Sequence, residues 1–216
     1  AYKKQLATYF KDDKRIHVIT NPEYPRLNPN LDKKKQIIYS GRLLYSHKRV
    51  DRLLTIWEKI YEKIPDWELV IVGDGPERNN LERLAKKWDL ERIYFIGYTP
   101  HVDNYYKDAS ILCLTSTFEG WPLCLTEAQA NGVIPISFNC CAGIEAILGP
   151  NKVNGTLVPD GDINAFAKEL TELINNPQLM EEIRKNVLKK VLTYSPELVG
   201  EKWLNLFNTL LENSNN

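Results

Sequence analysis

Short apolar runs alternate with longer amphipathic stretches along the C-terminal two thirds of the chain. The short runs are rich in Ile and Val and mostly continuous, as is typical of parallel strands buried on both faces. The longer stretches, such as VDRLLTIWEKIYEKI and INAFAKELTELINN, repeat apolar residues at helical spacing. We predict strands at HVIT near residue 17, QIIYS near 36, LVIVG near 69, IYFIG near 93, ILCLT near 111, VIPISF near 133 and GTLVP near 155.

This alternation predicts an α/β fold, a Rossmann-like parallel sheet with helices on both faces, over residues 16–175. Residues 1–15 are charged and lack a strand pattern, so we expect an N-terminal linker or extension there. Residues 176–216 have a helical pattern with a break at Ser195-Pro196, where serine suits an N-cap and proline a first turn. We expect the apolar stripe of this C-terminal helical extension to pack on the sheet domain or to reach a surface outside the chain.

The charge balance of the chain excludes some classes of partner. Its 216 residues contain 28 Lys+Arg and 28 Asp+Glu, which gives a formal net charge of +0. A general electrostatic attraction to nucleic acid or to an anionic membrane is therefore not expected, although a local basic pocket remains possible. No apolar run approaches the ~18 residues that suggest a membrane span. The hydrophobic fraction of 43% is sufficient for a globular core.

The cysteines lack the spacing of a zinc site or of a C-x-x-C redox motif. We expect thiols in or near a core that stays reduced, and hence a cytoplasmic protein. Redox or metal chemistry at the adjacent pair is the alternative. The four residues are Cys113, Cys124, Cys140 and Cys141.

The loop after QIIYS is locally basic, and ligands of parallel α/β sheets bind at the carboxyl ends of the strands. Gly41 permits a sharp turn or a close approach to a ligand. A guanidinium and an ammonium here would hold a diphosphate through charge-assisted hydrogen bonds of roughly 1.5–3 kcal/mol each. The alternative is a solvated basic loop that Asp51 caps. The cations of the loop are Arg42, His47, Lys48 and Arg49.

A glycine pair follows LVIVG. Gly73 and Gly75 resemble the start of a dinucleotide-binding fingerprint, but Arg78 occupies the place of the third glycine. We therefore interpret this segment as a tight strand-to-helix turn beside a ligand.

The run IYFIG ends in Gly97, and Tyr98 follows it. A glycine with an adjacent aromatic ring suits the wall of a flat pocket. His101 and Asp103 are either an acid/base pair or, the interpretation that we favour, residues that cap the next helix.

The segment TSTFEGWPLCLTEAQANG offers the most specific pattern. Glu119 lies in its loop, Pro122 suits a first helical position, and Glu127 falls on the helix body. Free N–H groups and the N-terminal dipole of this helix favour an anion. The segment therefore predicts an anion site with a carboxylate on each side. The alternative is a pair of solvent-facing glutamates near a helix start.

A D-x-D pattern occurs at Asp160-Gly161-Asp162. This pattern holds manganese in one class of sugar transferase. Here it follows the last strand and precedes a helix, so Asp162 suits an N-cap and the preceding pair suits a turn. We predict no metal site.

The order and spacing of these motifs resemble the retaining family-4 glycosyltransferases of the GT-B fold, also called group 1. The matching segments are GRL with Lys48 and VDRLL, then IVGDGPE, FIGY and FEGWPLCLTEAQANGVIPI. Glu119, seven intervening residues and Glu127 match the Glu-x(7)-Glu signature of that family. The resemblance runs from about residue 16 to the end. It covers half of a two-domain enzyme, the C-terminal donor-binding domain, and ITNPEYP resembles the start of that domain.

The resemblance implies a role for each matching residue. Arg42 and Lys48 would hold the donor diphosphate and stabilise the leaving nucleotide without a metal. Glu119 would bind hydroxyls of the transferred sugar, and Glu127 would accept from the ribose diol. The basic loop is one residue longer than is common, so His47 competes with Lys48. The other implied donor-binding residues are Gly41, Gly73, Gly97, Tyr98, Gly120, Trp121, Pro122, Leu123 and Cys124.

The function expected from this resemblance is retaining transfer of a hexose from a UDP-sugar or GDP-sugar, with no cofactor. A glycan or lipid-linked acceptor would bind through an N-terminal domain that this chain lacks, so the isolated chain is expected to turn over little. The protein would be cytoplasmic, with peripheral contact to the membrane. Two alternatives stay open, a nucleotide-sugar epimerase of similar architecture and a nucleotide-binding module without catalysis.

Overall fold

The computed structural model describes residues 16–214, so the predicted extension at residues 1–15 lies outside the described residues. Its centre is a six-stranded sheet in which all strands are parallel, in the order β3-β2-β1-β4-β5-β6. The predicted fold class is confirmed. The strands are β1 Gln36–Ser40, β2 Glu68–Val72, β3 Ile93–Gly97, β4 Ile111–Leu114, β5 Ile134–Phe138 and β6 Thr156–Val158.

Some of the helices begin at residues whose side chains cap them. Asp162 accepts a hydrogen bond from the amide of Ala165 at 2.9 Å, and Asn176 accepts one from the amide of Leu179 at 3.0 Å. The helices are α1 Val50–Ile60, α2 Arg78–Lys87, α3 Asp103–Asp108, α4 Leu123–Ala130, α5 Ala142–Leu148, α6 Ile163–Ile174, α7 Pro177–Leu192 and α8 Pro196–Ser214. A short 3-10 turn, Tyr61–Lys63, continues α1.

Alternate strand residues face two separate layers of helices, as the pleat of a sheet requires. Ile37 and Tyr39 pack with α1, α2 and α6 on one face. Ile38, between them, packs with α3, α4 and α5 on the other. All three side chains are 0% exposed, so the central strand is buried on both faces, as its continuous apolar run predicted; the edge strand β3 instead leaves Tyr94 and Ile96 exposed.

The strand order changes direction at β1. The chain builds outward from β1 through β2 to β3, and then returns to add β4 on the other side. At such a switch point the loops after the two central strands diverge and leave a crevice, in which α/β proteins bind their ligands. The loops after β1 and β4 are those that the sequence marks as basic and as glutamate-containing.

The predicted strand at HVIT is wrong. Residues 16–20 form no strand, and Val18 is 47% exposed. Ile16 and the following residues lie instead beside α8, near Leu206. A β-branched run becomes a strand only where a sheet edge is available for pairing, and this segment lies against a helix.

The two C-terminal helices are packed differently. Ile183 and Val187 of α7 belong to the core, whereas the apolar residues along α8 are largely exposed, at 45% for Trp203 and 52% for Phe207. The described part of the sheet domain does not cover the predicted α8 stripe. Among residues 16–214, no helix combines the length and the apolar character that a bilayer span requires.

Candidate functional site

Glycines allow the loops after β1, β2 and β3 to approach each other closely. The Gly41 amide donates to the Val72 carbonyl at 3.0 Å, and the Gly73 amide donates to the Gly97 carbonyl at 2.8 Å. Gly73 has a φ of 134°, and a Cβ there would overlap the carbonyl oxygen of Gly41. The interpretation of GDGPE as a tight turn therefore agrees with the structure, because only glycine fits at this crossing.

These loops and the start of α4 enclose a cleft of about 650 Å³, which we call the β1–α4 cleft. It lies at the carboxyl edge of the sheet, over the switch point. The structure brings eleven of the thirteen predicted site residues to its wall; Gly97 and Gly120 do not line it. The lining residues are Ser40, Gly41, Arg42, Lys48, Val72, Gly73, Asp74, Tyr98, Thr99, Val102, Glu119, Trp121, Pro122, Leu123, Cys124 and Glu127.

Arg42 presents a charged group to this cleft. Its side chain is exposed, and no carboxylate among the described residues forms an ion pair with it. Its carbonyl accepts a hydrogen bond from the buried Tyr39 hydroxyl at 3.1 Å, which fixes the backbone at the start of the loop. The guanidinium is therefore available to an anion in the cleft.

Lys48 and Glu119 face each other across the cleft and form an ion pair. Lys48 Nζ lies 2.7 Å from Glu119 Oε1, and the Ser116 hydroxyl donates to the same oxygen at 2.7 Å. The Glu119 side chain is only 9% exposed. The two residues that were predicted to contact different parts of a donor thus contact each other here, so a bound donor must share or replace this pair.

His47 does not line the cleft. Its Nδ1 lies 2.7 Å from the Ser46 hydroxyl, and its ring packs edge-on against Phe118 at 5.7 Å. The Thr117 amide donates to the His47 carbonyl at 2.8 Å and joins this loop to the one after β4. Of the two candidates for a diphosphate contact, the structure places Lys48 in the cleft.

Arg49 is turned away from the cleft. Its backbone is left-handed, with a φ of 48°, a conformation that glycine adopts more readily than other residues. Its guanidinium binds Asp51 through both ends, at 2.9 and 2.8 Å, and lies 4.6 Å from the centre of the Tyr45 ring. Asp51 thus neutralises this part of the basic loop, while Arg42 and Lys48 remain at the cleft.

Helix α4 points its N-terminus at the cleft. It begins at Leu123, so the prediction that Pro122 is its first residue is wrong; Pro122 precedes it with an extended ψ of 103°. The first-turn N–H groups of a helix have no partner within it, and Leu123 and Cys124 line the cleft. Burial raises the pKa of the Cys124 thiol to about 12, so this cysteine is neutral. Trp121 packs edge-on against Tyr194 at 5.4 Å.

Glu127 lies deeper along α4 and is partly buried. It accepts a hydrogen bond from the Tyr106 hydroxyl at 3.1 Å. Burial raises the pKa of Glu127, and the Tyr106 hydrogen bond opposes that rise. The next residue back, Thr126, donates to the buried carboxylate of Glu23 at 3.1 Å. Glu23 and Tyr106 could not be identified from local sequence patterns, because both contacts join residues that are distant in the chain.

Tyr98 and Thr99 form the side of the cleft that follows β3. The Tyr98 side chain is 78% exposed and stands at the mouth. The Thr99 hydroxyl accepts from the His101 amide at 3.1 Å, and Asp103 binds Arg26 at 2.7 Å. No described contact joins His101 to Asp103, and the His101 carbonyl accepts from an amide of α3, which supports the capping interpretation.

The candidate metal ligands outside the cleft, the D-x-D aspartates and the adjacent cysteines, have structural partners. Asp162 caps α6, and Asp160 lies 3.4 Å from Arg52. Among the described residues no group of three or more His, Cys, Asp or Glu side chains is arranged to hold a metal ion. Cys140 and Cys141 are half-buried free thiols at the start of α5, and Cys141 Sγ lies 3.9 Å from the Gly120 carbonyl.

Comparison with known proteins places these features in a family. Residues 21–190 match the model of the glycosyl transferases group 1 family. An uncharacterized glycosyltransferase of Haemophilus influenzae is 39% identical over 170 residues, which are 78% of this chain and 48% of that protein. The amylovoran biosynthesis glycosyltransferase AmsD of Erwinia amylovora is 31% identical over 177 residues, 82% of this chain and 49% of that protein.

A solved structure agrees with the sequence comparison. A variant of S. aureus TarM in complex with fondaparinux, alpha-GlcNAc-glycerol and UDP superposes with a TM-score of 0.86 at 27% identity, over 95% of this chain and 42% of that one. The chain thus spans about half the length of the curated relatives named here. On the extent of the family match, this chain belongs to the group 1 glycosyltransferases.

Proposed function

We propose that this chain is the donor-binding half of a retaining glycosyltransferase, and that the β1–α4 cleft binds a UDP-sugar or a GDP-sugar. The observation that supports this most strongly is Arg42, an arginine without a carboxylate partner among the described residues, in a cleft that the N-terminus of α4 also faces. Cation and helix dipole together favour a diphosphate at this place. The UDP in the similar TarM structure supports a uridine nucleotide as the first candidate.

The diphosphate would bind between the Arg42–Lys48 loop and the start of α4. Arg42 would form hydrogen bonds to phosphate oxygens with both arms of its guanidinium. Lys48 would exchange its contact with Glu119 for a phosphate oxygen. The released Glu119 would then accept hydrogen bonds from hydroxyls of the sugar, so the ion pair holds both side chains close to their proposed positions.

The nucleoside would extend toward the deeper part of the cleft. Glu127 would accept from the ribose diol, and the segment at Tyr98 would contact the base. Such contacts fix the donor before reaction and supply binding energy far from the bond that breaks.

The reaction itself would depend on electrostatic stabilisation. The bond between the sugar C1 and the diphosphate oxygen breaks, the electron pair leaves with the nucleoside diphosphate, and positive charge develops at the sugar. A hydroxyl oxygen of the acceptor forms the new bond to C1, and its proton passes to the departing diphosphate or to water. Arg42, Lys48 and the α4 dipole would stabilise the negative charge of the leaving group. These groups can perform the task that a divalent metal performs in other enzymes, so we propose transfer without a metal. Retention of configuration is proposed from the Glu119-x(7)-Glu127 resemblance.

The acceptor site and the cellular location are proposed for the whole protein rather than for this domain alone. We propose a glycan or lipid-linked acceptor that binds between this domain, residues 16–175 with its helices at 176–216, and an N-terminal domain. We propose a cytoplasmic location with peripheral contact to the membrane, from the reduced cysteines and the nature of such acceptors.

Titration calorimetry of the 216-residue chain with UDP, GDP and ADP tests the proposal. We expect one of UDP and GDP to bind, with unchanged affinity in the presence of a chelator. Binding that requires manganese would contradict the metal-free proposal and would direct attention to Asp160 and Asp162. Absence of binding by all three nucleotides, or an Arg42→Ala variant that binds as tightly as the wild type, would contradict the donor site itself.

A further inference from the structure

A fully buried tyrosine lies directly behind Glu127. The ring of Tyr106 is packed in the core between the sheet and α4, and it is 0% exposed. Its hydroxyl donates to Glu127 Oε2 at 3.1 Å. The side chain of Ser40, at the carboxyl end of β1, is the second polar group that faces this hydroxyl. One side chain of α3 therefore connects the end of β1 with the carboxylate on α4.

Hydrophobic packing does not account for the Tyr106 hydroxyl, because phenylalanine would fill the same space. A buried hydroxyl requires an acceptor, and the acceptor here is a carboxylate that lines the cleft. The hydrogen bond directs Oε2 toward the core. It thereby restricts the plane of the Glu127 carboxylate, whose other oxygen, Oε1, can then accept from a ligand in the cleft that Glu127 lines.

The same hydrogen bond favours the charged form of Glu127. Burial raises the pKa of this carboxyl, and the Tyr106 hydroxyl lowers it again by stabilising the charged form. A charged carboxylate accepts from two hydroxyls, whereas a protonated carboxyl also donates and binds a diol less well. The titratable groups around this carboxyl are Tyr106, Glu23, Asp103, Arg26 and Cys124.

We propose that Tyr106 is a positioning residue for nucleotide binding, whose hydroxyl orients the Glu127 carboxylate toward the ribose diol of the donor. This inference rests on the proposed function, in which Glu127 contacts that diol. Tyr106 itself touches no ligand and acts through Glu127.

The test is a Tyr106→Phe substitution, which keeps the ring and removes the hydroxyl. In titration calorimetry on the full chain, we expect the affinity for UDP to fall about three- to ten-fold. The affinity for 2′,3′-dideoxy-UDP, which lacks the diol, should be the same for variant and wild type. GDP and its dideoxy analogue replace these ligands if GDP is the nucleotide that binds.

A pH series adds a measurement that a purely structural role would not change. Loss of the hydrogen bond raises the pKa of Glu127, so on acidification the variant should lose UDP affinity at a higher pH than the wild type does. Tyr105→Phe is the matched control, because it removes one hydroxyl from the neighbouring residue of the same helix. We expect this control to leave affinity and pH profile unchanged.

Two results would overturn the inference. Equal weakening of UDP and dideoxy-UDP by Tyr106→Phe would show that the hydroxyl supports the fold rather than the diol contact. An unchanged UDP affinity with an unchanged pH profile would show that Glu127 needs no positioning. Failure of the proposed function is recognised separately: the wild type would bind neither nucleotide, or Glu127→Ala would bind as the wild type does, and the inference would fall with it.

Discussion

Two clefts of this molecule are lined by lysines and glutamates, and the larger one lies at the amino edge of the sheet rather than at its carboxyl edge. The second cleft, which we call the α6 cleft, has a volume of about 840 Å³ and lies along α6 beside the C-terminal end of α1. Its charged lining residues are Lys59, Lys63, Lys152, Lys168, Glu169 and Glu172. The β1–α4 cleft has a volume of about 650 Å³.

The difference lies in how charge and backbone are arranged. In the α6 cleft, Lys152 Nζ lies 2.8 Å from Glu169 and 3.7 Å from Glu172, so acids neutralise this cation. The last turns of α1 and α6 meet the first turn of α7 here, so helix ends of opposite polarity face this cleft. The β1–α4 cleft instead combines a helix N-terminus with Arg42, which has no carboxylate partner among the described residues. Volume alone therefore does not identify the site, whereas the position at the carboxyl edge of the sheet distinguishes the β1–α4 cleft.

The largest effect should come from Gly73→Ala, at the backbone crossing under the β1–α4 cleft. The new Cβ would have to displace the Gly41 carbonyl, and the φ of 134° disfavours any side chain. We expect a loss of about 3 kcal/mol in the free energy of unfolding, measured by urea denaturation, together with weaker UDP binding. Gly161→Ala is the control, since its φ is also positive but its Cβ would meet only Arg52, at 3.7 Å. That variant should lose about 1 kcal/mol; equal losses would contradict the role of the crossing.

Arg42→Ala and Lys63→Ala compare one cation from each cleft. Removal of Arg42 should lower UDP affinity by about a hundred-fold, because the diphosphate loses charge-assisted hydrogen bonds. Removal of Lys63 should leave UDP affinity unchanged, because Lys63 lines the α6 cleft and not the proposed donor site. Calorimetry with UDP measures both. The comparison between the clefts would be reversed if Lys63→Ala proved the more harmful substitution.

Substitutions of Glu119 and Glu127 test the two ends of the β1–α4 cleft separately. Glu127→Ala should weaken bare UDP by about ten-fold, because the ribose diol is part of every nucleotide ligand. Glu119→Ala should spare UDP and, in the full-length enzyme, lower kcat by misplacing the sugar.

Glu169→Ala, from the α6 cleft, is the control for both glutamates and should change neither measurement. Equal losses of UDP affinity in Glu119→Ala and Glu127→Ala would show that the division of roles between them is wrong.

The sequence was sufficient for the sheet and for the position of the site, because both follow from local patterns. Six of the seven predicted strands are present, and the loops after them meet at one edge because parallel strands share a direction. The failure at HVIT has a different origin. Its local pattern suits a strand, but whether a sheet edge is free beside it depends on the position of α8.

Contacts between distant residues could not be predicted. The Lys48–Glu119 pair spans 71 residues and the Thr126–Glu23 bond spans 103. Loop conformation likewise decided that Lys48 rather than His47 lines the cleft. Side-chain orientation in such loops depends on neighbours such as Phe118, which no periodic pattern identifies.

The smallest expected effect concerns Cys141, whose Sγ lies 3.9 Å from the carbonyl of Gly120, in the loop between the cleft residues Glu119 and Trp121. A hydrogen bond from the Cys140 thiol, with further ones from the amides of Gly143 and Ile144, lowers the pKa of Cys141 below the usual range of a thiol. The core thiol Cys113 has its pKa raised by burial. Iodoacetamide, which reacts with thiolates, should therefore label Cys141 first at neutral pH, and mass spectrometry of peptides locates the label. Because Cys141 Sγ lies against the Gly120 carbonyl, bound UDP should slow its labelling a few-fold, whereas Cys140→Ala should slow it by raising its pKa. If UDP does not change the labelling rate of Cys141, the nucleotide binds away from the Gly120 loop. That result would weaken the distinction between the two clefts.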